Sequence, residues 1–483
     1  MNITKKFEFT PVSRTLLIII IACLLSGFCS VLSASLFTHS YDLVYSQFRP
    51  LVLGIAVFVF MLYFDMDNFL KPLWITTAGI AVTLLQILPL FLGQTLNGAS
   101  RWVFGFQASD VLSLYLIFYA AFLCSADKTK YTKYMRECET FKGGLLYIIA
   151  PAALVLVLVG GIQKNFSTAV LQVFVFFLIL FARGLKFNIK LATCICIAAV
   201  LGTGILLVRE PYRINRLANW INHDLDIMMT PPAATGISRN NTEAYDGAEN
   251  TDTGGTSSAA YRFIKELSGP GIPYSRWDND YRGYVGEDGR QAFYSKISVI
   301  SGGIAGKGPA GGRVNAARRL AISESDYIFS VLCSELGFFV ITAFLCMAAC
   351  FIHRGLFIRA SGKDVVLGSP IEKELDADSY LHTLATGVVL LIAVQSLFHI
   401  WVNLSLFPVT GIPLPLISNG GSSKVITLAM LGILLNATCD HRIDVKKNRG
   451  TVKKIIIWIS VVAGVYVFAA FTVRFIKDFV LSS

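Results

Sequence analysis

Apolar stretches of about 18 to 22 residues recur along the chain, each long enough to cross roughly 30 Å of hydrocarbon as an α-helix. They fall near 15–34, 50–65, 73–93, 108–125, 144–161, 167–184, 190–208, 327–351, 380–403, 423–438 and 455–475. One long hydrophilic block, Arg209 to Asp326, interrupts the series. The pattern predicts an all-α polytopic membrane protein with four parts. A bundle of about seven spans occupies 1–208, and a large polar loop 209–326. A second bundle of about three spans occupies 327–440, and a basic linker with a further apolar helix fills 441–483. The first apolar run is too long for a cleavable signal peptide, lacks a clear small-residue cleavage site and is followed by more spans, so it is read as a retained helix.

The polar block is itself patterned. It opens with VREPYRINRLANWINHDLD, and its middle, about 229–285, is rich in Gly, Thr, Ser and Asn. That composition is one of a flexible insertion. Its Trp277, Tyr281 and Tyr284 are suited to packing on the rest of the loop or to sitting at a membrane interface. The block closes with RQAFYSKISVISGGIAGKGPAGGRVNAARRLAISESDYIF.

Charge orients this layout. The 483 residues are 54% hydrophobic and only 15% charged, with a formal net charge of +11. Most of that excess lies in KTKYTKYMRECETFK, ARGLKFNIK, HRGLFIRASGK and HRIDVKKNRGTVKK, beside spans. Positive loops stay cytoplasmic, which puts the N-terminus inside and the 209–326 loop outside. The same placement removes nucleic acid as a partner. The ten cysteines are scattered, with none in the polar loop and no CxxC or His/Cys cluster. Neither a disulfide framework nor a structural zinc site is expected, and the thiols are read as buried and inert. No pair of matched broken helices marks an inverted-repeat transporter.

Four polar clusters sit at span edges, all on the outer side by this topology. LNGASRWVFGFQASD carries Arg101 beside Trp102, either an anion contact or an interface anchor, and Asp110 at the start of a span. IQKNFSTAV is a polar turn in which Asn165 or Ser167 is suited to cap the next helix. ESDYIFSVLCSELGF places Asp326 at a span mouth and Glu335 inside it, a costly depth for an ionisable group. In FPVTGIPLPLISNGGSS, Pro408, Pro413 and Pro415 forbid a regular helix, and irregular backbone at a membrane edge needs protein or water to cover it.

In this order the clusters resemble the SEDS family (shape, elongation, division and sporulation), polytopic enzymes typified by RodA and FtsW. GIPLPLISNGGSS resembles that family's GxPLPfiSyGGSS signature, with Asn419 in place of the usual aromatic. NGASRW then FQASD resembles GarRW then QPSE, QKNFSTA resembles QPdlGTA, SDYIFSVLCSELG resembles TDFIFavigEELG, and GIAGKGPAGG resembles GlfGkGlG. The likeness covers about residues 15–440, and NFSTA and LFPVTG place the chain slightly nearer FtsW. There are departures. The Lys expected three residues after the acidic residue is Ser113, and Glu324 replaces a His. An eleventh apolar segment follows the usual ten spans.

The resemblance implies polymerisation of lipid II into glycan strands, for cell division or cell shape, at the outer face of a bacterial cytoplasmic membrane. It implies a class B penicillin-binding protein as partner, alongside other divisome or elongasome proteins. It also implies a single loop aspartate, which an ungapped match puts on Asp226, with Asp224 two residues away. About sixty residues separate that stretch from GRQAFYS, so Asp278, Asp280 and Asp288 stay in contention. A carboxylate suits the chemistry, since the attacking sugar hydroxyl must lose a proton. The departing undecaprenyl pyrophosphate needs cations. Arg101, Arg213 and Arg216 are the candidates, with Lys307 a weaker one, and a divalent cation (Mg or Mn) enters by family analogy alone. Substrate contacts are further expected from Asp326, Glu335, Ser418, Gly420, Gly421 and Ser422. The rival readings are a lipid-linked precursor flippase, which needs a polar path through the bundle, and a scaffold that has lost catalysis.

Overall fold

The computed structural model describes residues 5–8, 11–38, 42–64, 66, 69, 71–92, 94–96, 99–103, 106–124, 132–185, 291, 294–308, 324–356, 359–360, 363–364, 376–438 and 440–443. Helices dominate these segments. They are α1 (Pro11–Thr38), α2 (Asp42–Tyr63), α3 (Pro72–Ile87), α4 (Ala108–Cys124), α5 (Thr132–Glu139), α6 (Phe141–Ile162), α7 (Phe166–Ala182), α8 (294–301), α9 (Ile328–Leu356), α10 (Asp376–Asn403) and α11 (Gly421–Thr438). Six are long and apolar enough to cross a membrane, and 108–124, 166–182 and 328–337 are shorter apolar helices. These match nine of the eleven expected spans. The other two, near 190–208 and 455–475, lie outside the described residues.

Short antiparallel ribbons accompany the helices, a feature the hydropathy pattern does not reveal. Strand β1 (Lys5–Glu8) pairs with Asp440–Ile443, tying the N-terminal segment to the chain that leaves α11. Gln94–Leu96, Ala99–Val103 and Phe106–Gln107 form a three-stranded ribbon between α3 and α4.

Helix α11 is the central post. Of its apolar span 78% is buried, against 17% for the spans in α2 and α3. It runs parallel to α2 at close range, because Gly54 and Gly432 remove side chains from the seam. A Cβ on Gly54 would meet Leu428, and one on Gly432 would meet the carbonyl oxygen of Phe58 at 2.5 Å. Further along, Asn436 Nδ2 donates to the carbonyls of Met61 (3.1 Å) and Phe64 (2.9 Å). Large apolar side chains point outward elsewhere, among them Leu73, Trp74, Phe91 and Phe181. Such a surface suits lipid tails, and the backbone bonds close within helices as a bilayer requires. The chain is a multi-pass membrane protein. Of the described thiols, Cys124, Cys138 and Cys333 are buried, whereas Cys29, Cys346 and Cys350 face outward, contrary to the expectation of buried thiols throughout.

Two helix irregularities have identifiable causes. In α6, Pro151 supplies no N–H to the carbonyl of Tyr147 and its ring crowds that oxygen. The helix widens into a π-turn over Leu145–Ile149, and Tyr119 donates its hydroxyl to the Tyr147 carbonyl at 3.0 Å. In α9, Gly337 adopts φ 73°, ψ −179°, which breaks the helix. The carbonyls of Ser334 and Glu335, orphaned by the break, accept instead from Lys307 N (3.0 Å) and Gly308 N (2.9 Å).

Candidate functional site

The segment that closes those bonds is the glycine-rich SGGIAGKG. Helix α8 and residues 302–308 lie directly on the first half of α9. A Cβ on Gly302 would collide with the Cys333 carbonyl, one on Gly306 with the Glu335 carbonyl, and one on Gly337 with Gly306 N. Gly306 also holds φ +77°, a left-handed conformation that glycine adopts freely. The glycines are there to let two backbones touch.

Above this contact, Asn403 at the end of α10 ties three elements together. Its Oδ1 accepts from Ser330 N (3.1 Å) and Ser330 Oγ (2.8 Å), and its Nδ2 donates to the Asp326 carbonyl (3.0 Å) and the His399 carbonyl (2.9 Å). Its own carbonyl accepts from Ser295 Oγ at 2.7 Å. One turn earlier, His399 Nδ1 lies 2.8 Å from the Ile412 carbonyl. A carbonyl only accepts, so Nδ1 carries the proton. This bond pins the proline-rich connection to α10.

That connection, 404–420, is irregular as its prolines require, and it reaches two other clusters. Ser418 Oγ donates to the Ser325 carbonyl (2.8 Å) and accepts from Leu414 N (2.8 Å). Asn419 N donates to the Glu324 carbonyl (2.8 Å). Gly411 stands 3.7 Å from Asp326 Oδ2, measured from where a Cβ would be. At the start of α11, Ser422 Oγ donates to Asp110 Oδ2 at 2.7 Å.

The remaining cluster joins through glutamines. Gln163 Nε2 donates to Gln86 O (2.9 Å) and Gln86 Oε1 (3.0 Å), and Gln86 Nε2 donates to Ala108 O (2.9 Å). Gln172 Nε2 reaches Ser109 O (2.6 Å) and Ser113 Oγ (2.7 Å). All four polar clusters therefore meet at one end of the bundle, where α2, α4, α7, α9 and α11 begin. Arg183, which reaches His382 Nδ1 at 3.1 Å, marks the opposite end, together with the β1 ribbon.

The expected site residues divide accordingly. Asp326, Ser418 and Ser422 come together, with Gly420 and Gly421 at the helix start between them, and Asp110 joins them through Ser422. Asp326 is half-buried with Ser325 Oγ donating to its Oδ1 at 3.0 Å. Ser418 and Ser422 are buried and bonded to protein. Glu335 is buried deeper in α9, beside the Gly337 break. Lys307 contributes its backbone N–H to α9, and its side chain is exposed. Arg101 lies on the ribbon at this end. Asp224, Asp226, Arg213 and Arg216, like Asp278, Asp280 and Asp288, lie outside the described residues. One expectation is corrected. Asn165 occupies the cap position of α7 but makes no side-chain cap; its Oδ1 accepts from Thr168 Oγ1 at 2.9 Å instead, and Ser167 lies within the helix.

The family model for cell cycle proteins of the FtsW, RodA and SpoVE type matches residues 13–229 and 274–443, most of the chain and all four clusters. The chain belongs to this family. Among its relatives is "Probable peptidoglycan glycosyltransferase FtsW" of Borreliella burgdorferi, 26% identical over 417 residues, covering 84% of this chain and 89% of the relative. Stage V sporulation protein E of Bacillus subtilis is 25% identical over 439 residues, covering 88% and 97%. A chain from a solved peptidoglycan synthase complex shares the fold, with a TM-score of 0.55 and 19% identity over 89% of this chain and 97% of that one.

In this FtsW/RodA/SpoVE member, several supporting residues escaped the sequence reading. Gln86, Gln172, His399 and Asn403 all lie inside apolar runs, and His399 and Asn403 share a helix face at i, i+4 spacing. An inventory of amides and imidazoles within spans finds them, because an uncharged polar group in hydrocarbon needs a partner.

Proposed function

We propose that this protein is a peptidoglycan glycosyltransferase that polymerises lipid II at the outer face of the bacterial cytoplasmic membrane, with a class B penicillin-binding protein cross-linking the product. The observation that carries the reading is the meeting of four sequence-distant polar clusters at one end of an apolar bundle, through Asp110–Ser422, Ser418–Ser325 and Asn403–Asp326. The name of the Borreliella relative supports the same activity. The complex containing the solved relative, described as coordinating polymerization and crosslinking, supports the partner. The basic loops at the other end support the orientation.

In this reading Asp226 takes the proton from a sugar hydroxyl as its oxygen bonds to the anomeric carbon of a second sugar. The bond from that carbon to the lipid pyrophosphate breaks, and the pyrophosphate leaves with the electron pair. Arg101, Arg213 and Arg216, with Lys307 as an outlying cation, offset its charge. Among the described residues no three His, Cys, Asp or Glu side chains group to hold a metal. A divalent cation near the loop carboxylate rests on the family analogy alone, and no step is routed through it.

A flippase needs polar groups along a continuous path. Helix α10 carries polar residues at each end, but between them runs GVVLLIAV, residues 387–394. That gap favours the enzyme. The test is polymerisation of fluorescent lipid II by the purified protein in liposomes, with a candidate transpeptidase present. Glycan ladders on a gel support the proposal; translocated lipid II without ladders overturns it.

A further inference from the structure

Ser295, at the start of α8, donates its hydroxyl to the Asn403 carbonyl (2.7 Å), and Asn403 closes the apolar span of α10 at the outer rim. From there α8 and the turn after it descend alongside α9. Ser298 Oγ donates to the Ser330 carbonyl (3.1 Å), a Cβ on Gly302 would collide with the Cys333 carbonyl, and Gly308 N donates to the Glu335 carbonyl (2.9 Å). The contacts advance in step on both elements, so the two run in parallel. Glu335 follows Ser330 by five residues, which is about 7 Å further into the bundle at the rise of an α-helix. Yet Glu324, later in the chain than Gly308, is back at the rim, where its carbonyl accepts from Asn419 N (2.8 Å). The chain enters and leaves the apolar layer on the same side.

What faces outward at that depth is apolar. Tyr294, Ser295, Ile297 and Ser298 turn inward and are buried, while Ile300 and Ile304, four residues apart, are 42% and 66% exposed. The polar groups of the segment are engaged with protein. Ser301 Oγ donates to the Ser298 carbonyl (2.9 Å) and Gly303 N to the Ile300 carbonyl (3.3 Å). Gly306 N donates to the Gly302 carbonyl (3.0 Å) and Lys307 N to the Ser334 carbonyl (3.0 Å). A turn inside the layer needs such partners, because hydrocarbon supplies none. Isoleucine side chains against acyl chains stay out of water, whereas the same pair projecting into water forgoes its burial. The charged side chain at the tip, Lys307, is exposed and carries a four-carbon stem along which its ammonium reaches the headgroups.

We propose that α8 and residues 302–308 form a re-entrant element, inserted from the outside into the outer leaflet, with Ile300 and Ile304 against the acyl chains of bilayer phospholipid. The polar loop is then anchored in the membrane ahead of α9. Lys307 is held at the headgroup layer, the level at which a lipid-borne phosphate travels. The insertion stands on the register of α8 with α9 and does not depend on the glycosyltransferase reading.

The experiment places the photoreactive residue p-benzoyl-phenylalanine at Ile300 or at Ile304 of the full-length protein, reconstituted in liposomes of phosphatidylglycerol and phosphatidylcholine. After irradiation, lipid adducts are quantified by mass spectrometry. Phe181, exposed on α7, is the membrane control, and Glu139, exposed on α5, is the aqueous one. Adduct yields at both isoleucines are expected to match Phe181 and to exceed Glu139 several-fold. Ile304→Asp sets a charge in the same layer, so the yield from the probe at Ile300 should fall several-fold. The probe at Phe181 should hold its yield in that variant, which shows that the bundle still folds in the membrane. Yields at both isoleucines as low as at Glu139 overturn the proposal, as do cross-links to other parts of this chain in place of lipid. An unchanged Ile300 yield in Ile304→Asp, with the Phe181 yield held, also overturns it.

Discussion

Asn403 is the side chain on which the site end of the bundle converges. Both of its amide groups are fully engaged, so its removal strands Ser330 N–H and the Asp326 carbonyl at once. Asn403→Ala is expected to cost on the order of 3 kcal/mol, read as a lower thermal unfolding midpoint in detergent, with an apolar replacement of similar size doing no better. Asp110 poses a different test. Ser422→Ala removes the donor and leaves a half-buried carboxylate short of one bond, whereas Asp110→Asn keeps an acceptor for Ser422 and removes the charge. If charge at Asp110 serves the substrate, Asp110→Asn lowers kcat/KM more than Ser422→Ala does; the reverse order assigns the pair a structural role. The acid was visible in QASD and the serine in GGSS, yet their contact was not, because no periodicity links residues 312 positions apart.

At the scale of elements, α9 with its glycine-rich partner is the least ordinary piece. The spans themselves were legible, since runs of apolar residues at membrane length have few other solutions. The break at Gly337 was not, because SELGFF reads as continuous helix until the carbonyls of Ser334 and Glu335 are seen bonding Lys307 and Gly308. Gly337→Ala forces a side chain into a backbone conformation open essentially to glycine and into Gly306 N, so a loss of about 1–3 kcal/mol or more is expected. Gly161→Ala is the control, with open space around it apart from the Leu156 carbonyl at 4.0 Å, and it should leave the unfolding midpoint nearly unchanged. The small ribbons at 94–107 went unread for the opposite reason. LNGASRW is too short and too polar for hydropathy to resolve, and its pairing depends on the turn.

The whole molecule is expected to be a bundle with one working end. Leu406, on the connection after α10, is 56% exposed at that end, and Lys142, at the start of α6, is exposed at the other. Over the native-cysteine background, Leu406→Cys should react with a membrane-impermeant maleimide added to intact cells, and Lys142→Cys only after permeabilisation. The opposite pattern reverses the topology and places the polar end in the cytoplasm. Charge counting supplied this orientation from sequence alone, while the loop that carries the proposed chemistry offered only a motif match. The most direct test of the account is polymerisation of labelled lipid II by wild type and by Asp226→Ala, in parallel, with the partner transpeptidase present. Glycan ladders are expected from wild type and none from the variant, with the variant's unfolding midpoint unchanged. Ladders of equal yield from Asp226→Ala would contradict it.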